Sequence, residues 1–113
     1  MFPNYNRRFA VANGATGGAA AVALVPALAG FKVRVYGFSQ GTNATINSRF
    51  EDTAAAVIYA THYGASTFGR AYSEQAAEGG FLFESGSGLG VNWWVSGATP
   101  YGIAVQYAYV PNT

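Results

Sequence analysis

The segment Tyr101-Gly102-Ile103-Ala104-Val105-Gln106-Tyr107-Ala108-Tyr109 alternates large residues with small ones without a break. Side chains on a β-strand point to opposite faces with a period of two. Tyr101, Ile103, Val105, Tyr107 and Tyr109 therefore form one bulky stripe, and Gly102, Ala104, Gln106 and Ala108 form a nearly flat one behind it. Shorter stretches of the same kind recur. Phe31, Val33 and Val35 alternate with Lys32, Arg34, Tyr36 and Phe38. Ile46, Ser48 and Phe50 alternate with Thr45, Asn47, Arg49 and Glu51, while Leu89, Val91, Trp93 and Val95 share a face opposite Asn92 and Trp94.

Turn chemistry separates these runs: Asn13-Gly14, Ala29-Gly30, the tract Ser39–Asn43, Gly79-Gly80, Gly86-Ser87-Gly88 and Gly97–Pro100. Further strands are predicted over Arg8–Ala12, over the alanine-rich run Ala19–Val25, and over Ala54–Tyr59. Thr61–Arg70 reads as a polar-aromatic loop, and Ala71–Ala77 as either a helical turn or a short strand. The segment from Ala44 to Glu51 follows Phe31–Phe38 either as a hairpin partner or by crossing to a second sheet. About eight short strands with regular turn signals, and no strand-helix alternation, predict an all-β fold. The expected form is a single antiparallel β-sandwich of jelly-roll type. The domain reading is an extended N-terminal arm over residues 1–12, whose last residues overlap the first strand, followed by one sandwich over residues 13–113.

Only 10% of the 113 residues are charged, against about 25% in an ordinary soluble domain. Half the chain is apolar and 16% is aromatic, so much of its surface is expected to be covered by neighbours in an oligomer or larger assembly. A formal net charge of +1 supplies no field for nucleic acid. There is no cysteine, which removes disulfides and thiolate chemistry. Arg7-Arg8, followed by the apolar run Ala19–Val25 and then Ala27-Leu28-Ala29, has the order of a secretory signal. Pro26 and Gly30 read equally as strand and turn punctuation, and we take them so. The run is shorter than the roughly 20 residues of a membrane helix, and no membrane partner is expected.

Catalytic groups are sparse. The single histidine, His62, lies beside Tyr63, and no set of His, Cys and carboxylate residues has metal-ligand spacing, so no metal or cofactor is expected. Ser87 sits in Gly86-Ser87-Gly88, between strands and without the spacing of a nucleophile elbow. Glu51 and Asp52 are adjacent and face opposite sides of a strand. Glu74 and Glu78 align only on a helix, so neither pair flanks a glycosidic bond. The carboxylates are expected to pair with Arg34, Arg49 or Arg70. The glycines around Gly88 lack the helix that a phosphate loop requires and read as hairpin residues. Trp93 and Trp94 face opposite sides of one strand, the first as core and the second as a contact for a partner.

The order of these elements resembles a group of small structural proteins of tailed bacteriophages, the jelly-roll capsid decoration (head auxiliary or cement) proteins. The segments that carry it run from Ala29-Gly30-Phe31-Lys32-Val33-Arg34-Val35-Tyr36 through Thr45–Glu51, Glu78-Gly79-Gly80-Phe81-Leu82-Phe83 and Gly90-Val91-Asn92-Trp93. They end in the Gly-Ala-Thr turn before the terminal strand. The resemblance implies a non-enzymatic virion protein on the capsid exterior, a homotrimer that binds the major capsid protein and stiffens the shell. Partner contacts are expected at Phe2, Tyr5, Arg7 and Arg8 of the arm and at Trp94, Tyr107 and Tyr109. Two other readings stand beside it. One is a fibre, spike or lectin-like module binding a glycan through Trp94, Tyr63 or the Thr61–Arg70 loop. The other is a coat or tail-tube subunit.

Overall fold

The computed structural model describes residues 7–14, 21–42, 47–54, 58–63 and 71–112, with the side chains at 58–63, 71, 72 and 74 excepted. The described residues form β1 (Arg8–Gly14), β2 (Val22–Val25), β3 (Phe31–Thr42), β4 (Asn47–Asp52), β5 (Ile58–Tyr63), β6 (Ala71–Gln75), β7 (Phe83–Glu84), β8 (Val91–Val95) and β9 (Tyr101–Pro111). No helix is found among them. One sheet has the order β1-β9-β3-β6, with the short β7 also paired to β3, and the other has the order β2-β8-β4-β5. All the pairings are antiparallel. The described residues form an all-β sandwich.

The bulky stripe of β9 faces the second sheet. Ile103 and Val105 are buried, and Tyr101 and Tyr109 pack against the same core. Opposing positions on paired strands share a face, so Val33, Val35, Phe38 and Gln40 of β3, set against Tyr109, Tyr107, Val105 and Ile103, look the same way. From the other side come Phe50, Val91, Trp93 and Val95, all 1% exposed or less. The rings interlock: Phe38 meets Phe50 edge-on at 4.8 Å, Phe83 lies 5.4 Å beyond Phe50, and Tyr101 lies 5.3 Å from Trp93.

Phe38 corrects the expected faces of β3. Its register against β9 slips between Val35 and Gly37, which leaves Tyr36 as an extra residue. Such a bulge shifts the phase of alternation by one, and Phe38 joins Val33 and Val35 on the core side instead of facing away. The tract Ser39–Thr42, expected as a turn, continues β3 because Ser39–Gly41 are paired on both sides, with β9 and with β6, and Thr42 is paired with β9. Asn43 lies outside the described residues. Thr61–Tyr63, expected as loop, belongs to β5 and pairs with Asn47–Arg49, while 64–70 lie outside the described residues. Ala54, expected to open a strand, lies instead in a turn with Thr53, and 55–57 lie outside the described residues. Of the two readings for Ala71–Ala77, the strand is found, over Ala71–Gln75. The passage from β3 to β4 crosses between sheets.

One half-buried polar side chain ties the two layers together at the edge of the core. Gln40 donates from Nε2 to Ser48 Oγ at 2.7 Å and accepts at Oε1 from Trp93 Nε1 at 3.0 Å. Both partners belong to the other sheet, so one amide satisfies a buried indole and a buried hydroxyl at once.

Candidate functional site: the outer face of the first sheet

The alternation that turns the tyrosines of β9 inward turns its small residues outward. Gly102, Ala104 and Gln106 stand opposite Gly41, Ser39 and Gly37 of β3, and the sequence supplies a floor almost without side chains. Across β9, the partners of Ala104 and Gln106 on β1 are Val11 and Phe9. These two are 68% and 71% exposed, the highest values among the large hydrophobic residues described. Ala10 and Ala12 pack on the core from the same strand. On the far side, Ser73 and Gln75 of β6 close the floor, with Gln75 Nε2 donating to Gln106 Oε1 at 3.2 Å.

The result is a pair of adjoining hollows of about 560 and 320 Å³ that share Ser39 and Ala104. Phe9 and Val11 form one wall. No lysine, arginine, histidine or carboxylate lines either hollow among the described residues, so the surface offers apolar contact with hydroxyl and amide hydrogen bonds. Gly41 and Gly102 face each other here across the two strands, and a Cβ on either would meet open space. Neither has the left-handed backbone found at Gly30, Gly79 and Gly88. Glycine weakens a strand interior, and neither local geometry nor internal packing requires it at these two positions.

Of the residues expected to touch a partner, Phe2 and Tyr5 lie outside the described residues. Arg7 and Arg8 are exposed, and both reach back onto the body. The Arg7 guanidinium lies 4.0 Å from the centre of the Tyr36 ring, and that of Arg8 lies 5.8 Å from Tyr109. Arg8 lies in β1, paired through Gly14 with β9, so the described part of the expected arm is an edge strand of the sheet. Tyr107 is 8% exposed within the chain's own core and presents little surface to a neighbour. Tyr109 is half-buried and donates its hydroxyl to the Pro26 carbonyl at 2.8 Å. Trp94 is half-buried on the outer face of the second sheet, with the Arg49 guanidinium 4.0 Å from its ring centre. Phe9 and Val11 were not singled out by the sequence. Their alternation with Ala10 and Ala12 was visible, but not which face of β1 meets the core.

Two ion pairs form among the described residues. Arg34 Nε donates to Glu84 Oε2 at 2.7 Å, and Arg49 Nε to Glu51 Oε2 at 3.2 Å, as the sequence reading expected of these two arginines. Burial lowers the Arg34 pKa, but the hydrogen bond and charge of Glu84 more than offset this and the net direction is up. Asp52 is buried and accepts the Ala54 backbone N–H at 3.1 Å, which holds the turn after β4. Among the described residues no three His, Asp or Glu side chains come together as metal ligands would.

Burial raises the Tyr109 hydroxyl above the ordinary tyrosine pKa of 10.0; the neighbouring Tyr107 adds to the rise and Arg8 opposes it. The folded state therefore holds this proton more tightly than the unfolded state. Its contribution to stability is complete below pH 10.0 and is lost as pH rises through the folded-state value. In urea titrations the midpoint of the parent chain will fall more steeply above that pH than the midpoint of Tyr109→Phe. Equal slopes for the two chains would contradict the assignment.

No family model matches the chain, and no curated protein or solved structure matches it either.

Proposed function

We propose that this chain is a non-enzymatic structural protein of a virion, a homotrimeric decoration protein that binds the major capsid protein on the capsid exterior and stabilises the shell. The observation that carries the reading is the outer face of the first sheet. Phe9 and Val11 stand exposed beside a floor of small residues that lacks charge among the described positions. Complete burial of a Phe or Val side chain is worth roughly 1.5–3 kcal/mol, so a chain this poor in charge gains substantially from a surface laid against that face.

The strand order supports a jelly roll as the architecture behind it. The chain pairs with itself in nested fashion: β1 with β9, β2 with β8, β3 with β6 and β4 with β5. This is the pattern of one long antiparallel ribbon rolled into two facing sheets, an architecture used in viral capsid and lectin domains among others. Each contact need not be strong. Several weak contacts made together by one trimer raise its avidity far above that of any single face.

The test is to add the purified chain to capsids of its virus prepared without it, then to measure occupancy by imaging and the temperature at which the shells open. Bound trimers and a higher opening temperature are expected. A stable monomer that neither binds nor changes that temperature overturns the proposal. Deletion of residues 1–6, which leaves β1 whole, then asks whether the arm contributes: weaker binding with the fold intact assigns it a contact.

A further inference from the structure

The β1 strand is the edge of the first sheet, and among the described residues only β9 pairs with it. Sheet edges in stable proteins are commonly blunted by proline, lysine, a bulge or an inward-pointing charge. The β1 segment Arg8-Phe9-Ala10-Val11-Ala12-Asn13-Gly14 has no proline or lysine, and its register with β9 runs unbroken over all seven residues. Its only charged residue, Arg8, is the first in the strand. The same strand bears the two most exposed large hydrophobic residues described, Phe9 and Val11.

We infer that β1 pairs antiparallel with β1 of a second copy of this chain, about a two-fold axis at Val11, joining two first sheets into one continuous sheet. The sequence of the strand favours itself as occupant. In this register Val11 opposes Val11 of the other copy, Ala10 opposes Ala12, Phe9 opposes Asn13, and Arg8 opposes Gly14. Opposed residues share a face in an antiparallel pair. The small core-side residues thus remain on the core side, and Phe9 and Val11 remain on the outer side. No like charges meet, and the terminal arginine of each strand has a glycine across from it. Phe9 of one copy is the diagonal neighbour of Val11 of the other, within reach of an aromatic ring, so four apolar side chains close over the junction. One contact thus accounts for both the unblunted edge and the exposed Phe9 and Val11. It uses only β1 and does not depend on the capsid reading; alongside a three-fold contact it would join two trimers into a hexamer, and without one it makes a dimer.

The chain has no cysteine, so a single introduced thiol reports on the contact cleanly. In Val11→Cys the two thiols face each other across directly opposed positions with Cα atoms about 4.5–5.5 Å apart, within the range a disulfide spans. In Phe9→Cys the thiols lie four residues out of step, about 14 Å apart along the strands, and no bridge can form. Both sites are exposed, so random collisions affect them alike. Under mild oxidation at low concentration, Val11→Cys is expected to give about ten-fold more covalent dimer than Phe9→Cys. The double variant Phe9→Cys/Asn13→Cys is expected to cross-link as readily as Val11→Cys. In solution, Val11→Arg should halve the mass of the parent assembly by setting like charges opposite each other. Equal cross-linking of the two single variants overturns the inference. So does a Val11→Cys chain that stays unlinked, the result expected if β1 is covered by a strand of some other protein.

Discussion

Replacing Gly90 by alanine will unfold the chain or lower its stability by at least about 3 kcal/mol. A Cβ at this position would overlap the carbonyl oxygen of Val25 and come within 2.8 Å of both the Ala27 nitrogen and the Pro26 carbonyl carbon. All three are backbone atoms, so no rotamer change relieves the overlap. The backbone there is held from both sides. Gly90 N–H donates to Thr53 Oγ1 at 3.0 Å, and its carbonyl accepts from Thr53 N–H at 3.2 Å, tying the start of β8 to the turn after β4. The chain leaving β2 passes directly over the glycine. Gly102→Ala is the matched control, since its Cβ would enter open space. A strand alanine in place of glycine should be neutral or stabilising by up to about 1 kcal/mol. Urea midpoints of the two variants check this pair, and a Gly90→Ala chain within about 1 kcal/mol of the parent would refute the close approach.

The adjacent tryptophans should differ almost as sharply. Trp93 is fully buried, packs against Tyr101 and donates its indole N–H to Gln40. Trp93→Ala removes that volume and leaves the half-buried Gln40 carbonyl oxygen without its indole donor. A loss of about 3–5 kcal/mol is expected. Trp94→Ala removes a half-buried ring that stacks with the Arg49 guanidinium, a contact worth about 0.5–1 kcal/mol at such a site. Thermal or urea unfolding of the two variants distinguishes them, and comparable losses would mean that the faces of β8 are misassigned.

Much of the fold was legible because period two is a strong signal where one face is bulky and the other is not. Tyr101–Tyr109, Phe31–Val35 and Val91–Val95 all follow it, and the opposite faces of Trp93 and Trp94 come from adjacency alone. What escaped the sequence was decided by pairing at a distance. Ser39–Thr42 carries turn residues, yet β9 holds all four extended and β6 holds Ser39–Gly41 from the other side, and such pairing overrides local preference. Phe38 changed faces because a bulge at Tyr36 shifted the count, and its only local sign was Gly37 inside a strand. At the candidate site the alternation of β1 was visible but its polarity was not. Large residues on one side and alanine on the other would ordinarily put Phe9 and Val11 inside. The bulky stripe of β9, with Val105 and Ile103 directly opposite Ala10 and Ala12, fills the core beside β1, and the small pair faces it while the large pair is turned out.

The nested pairing of the strands also bears on how the chain is made. The first strand finds its partner in the last, and β2 waits for β8, so of the nested pairs only β4 with β5 joins strands adjacent in sequence. Closing such long loops before any contact rewards them is slow. During synthesis the first sheet cannot be completed until β9 has left the ribosome, because β9 alone joins β1 to β3. Until β9 pairs, β1 has no strand beside it among the described residues and the core face of β3 lacks the bulky stripe that closes it.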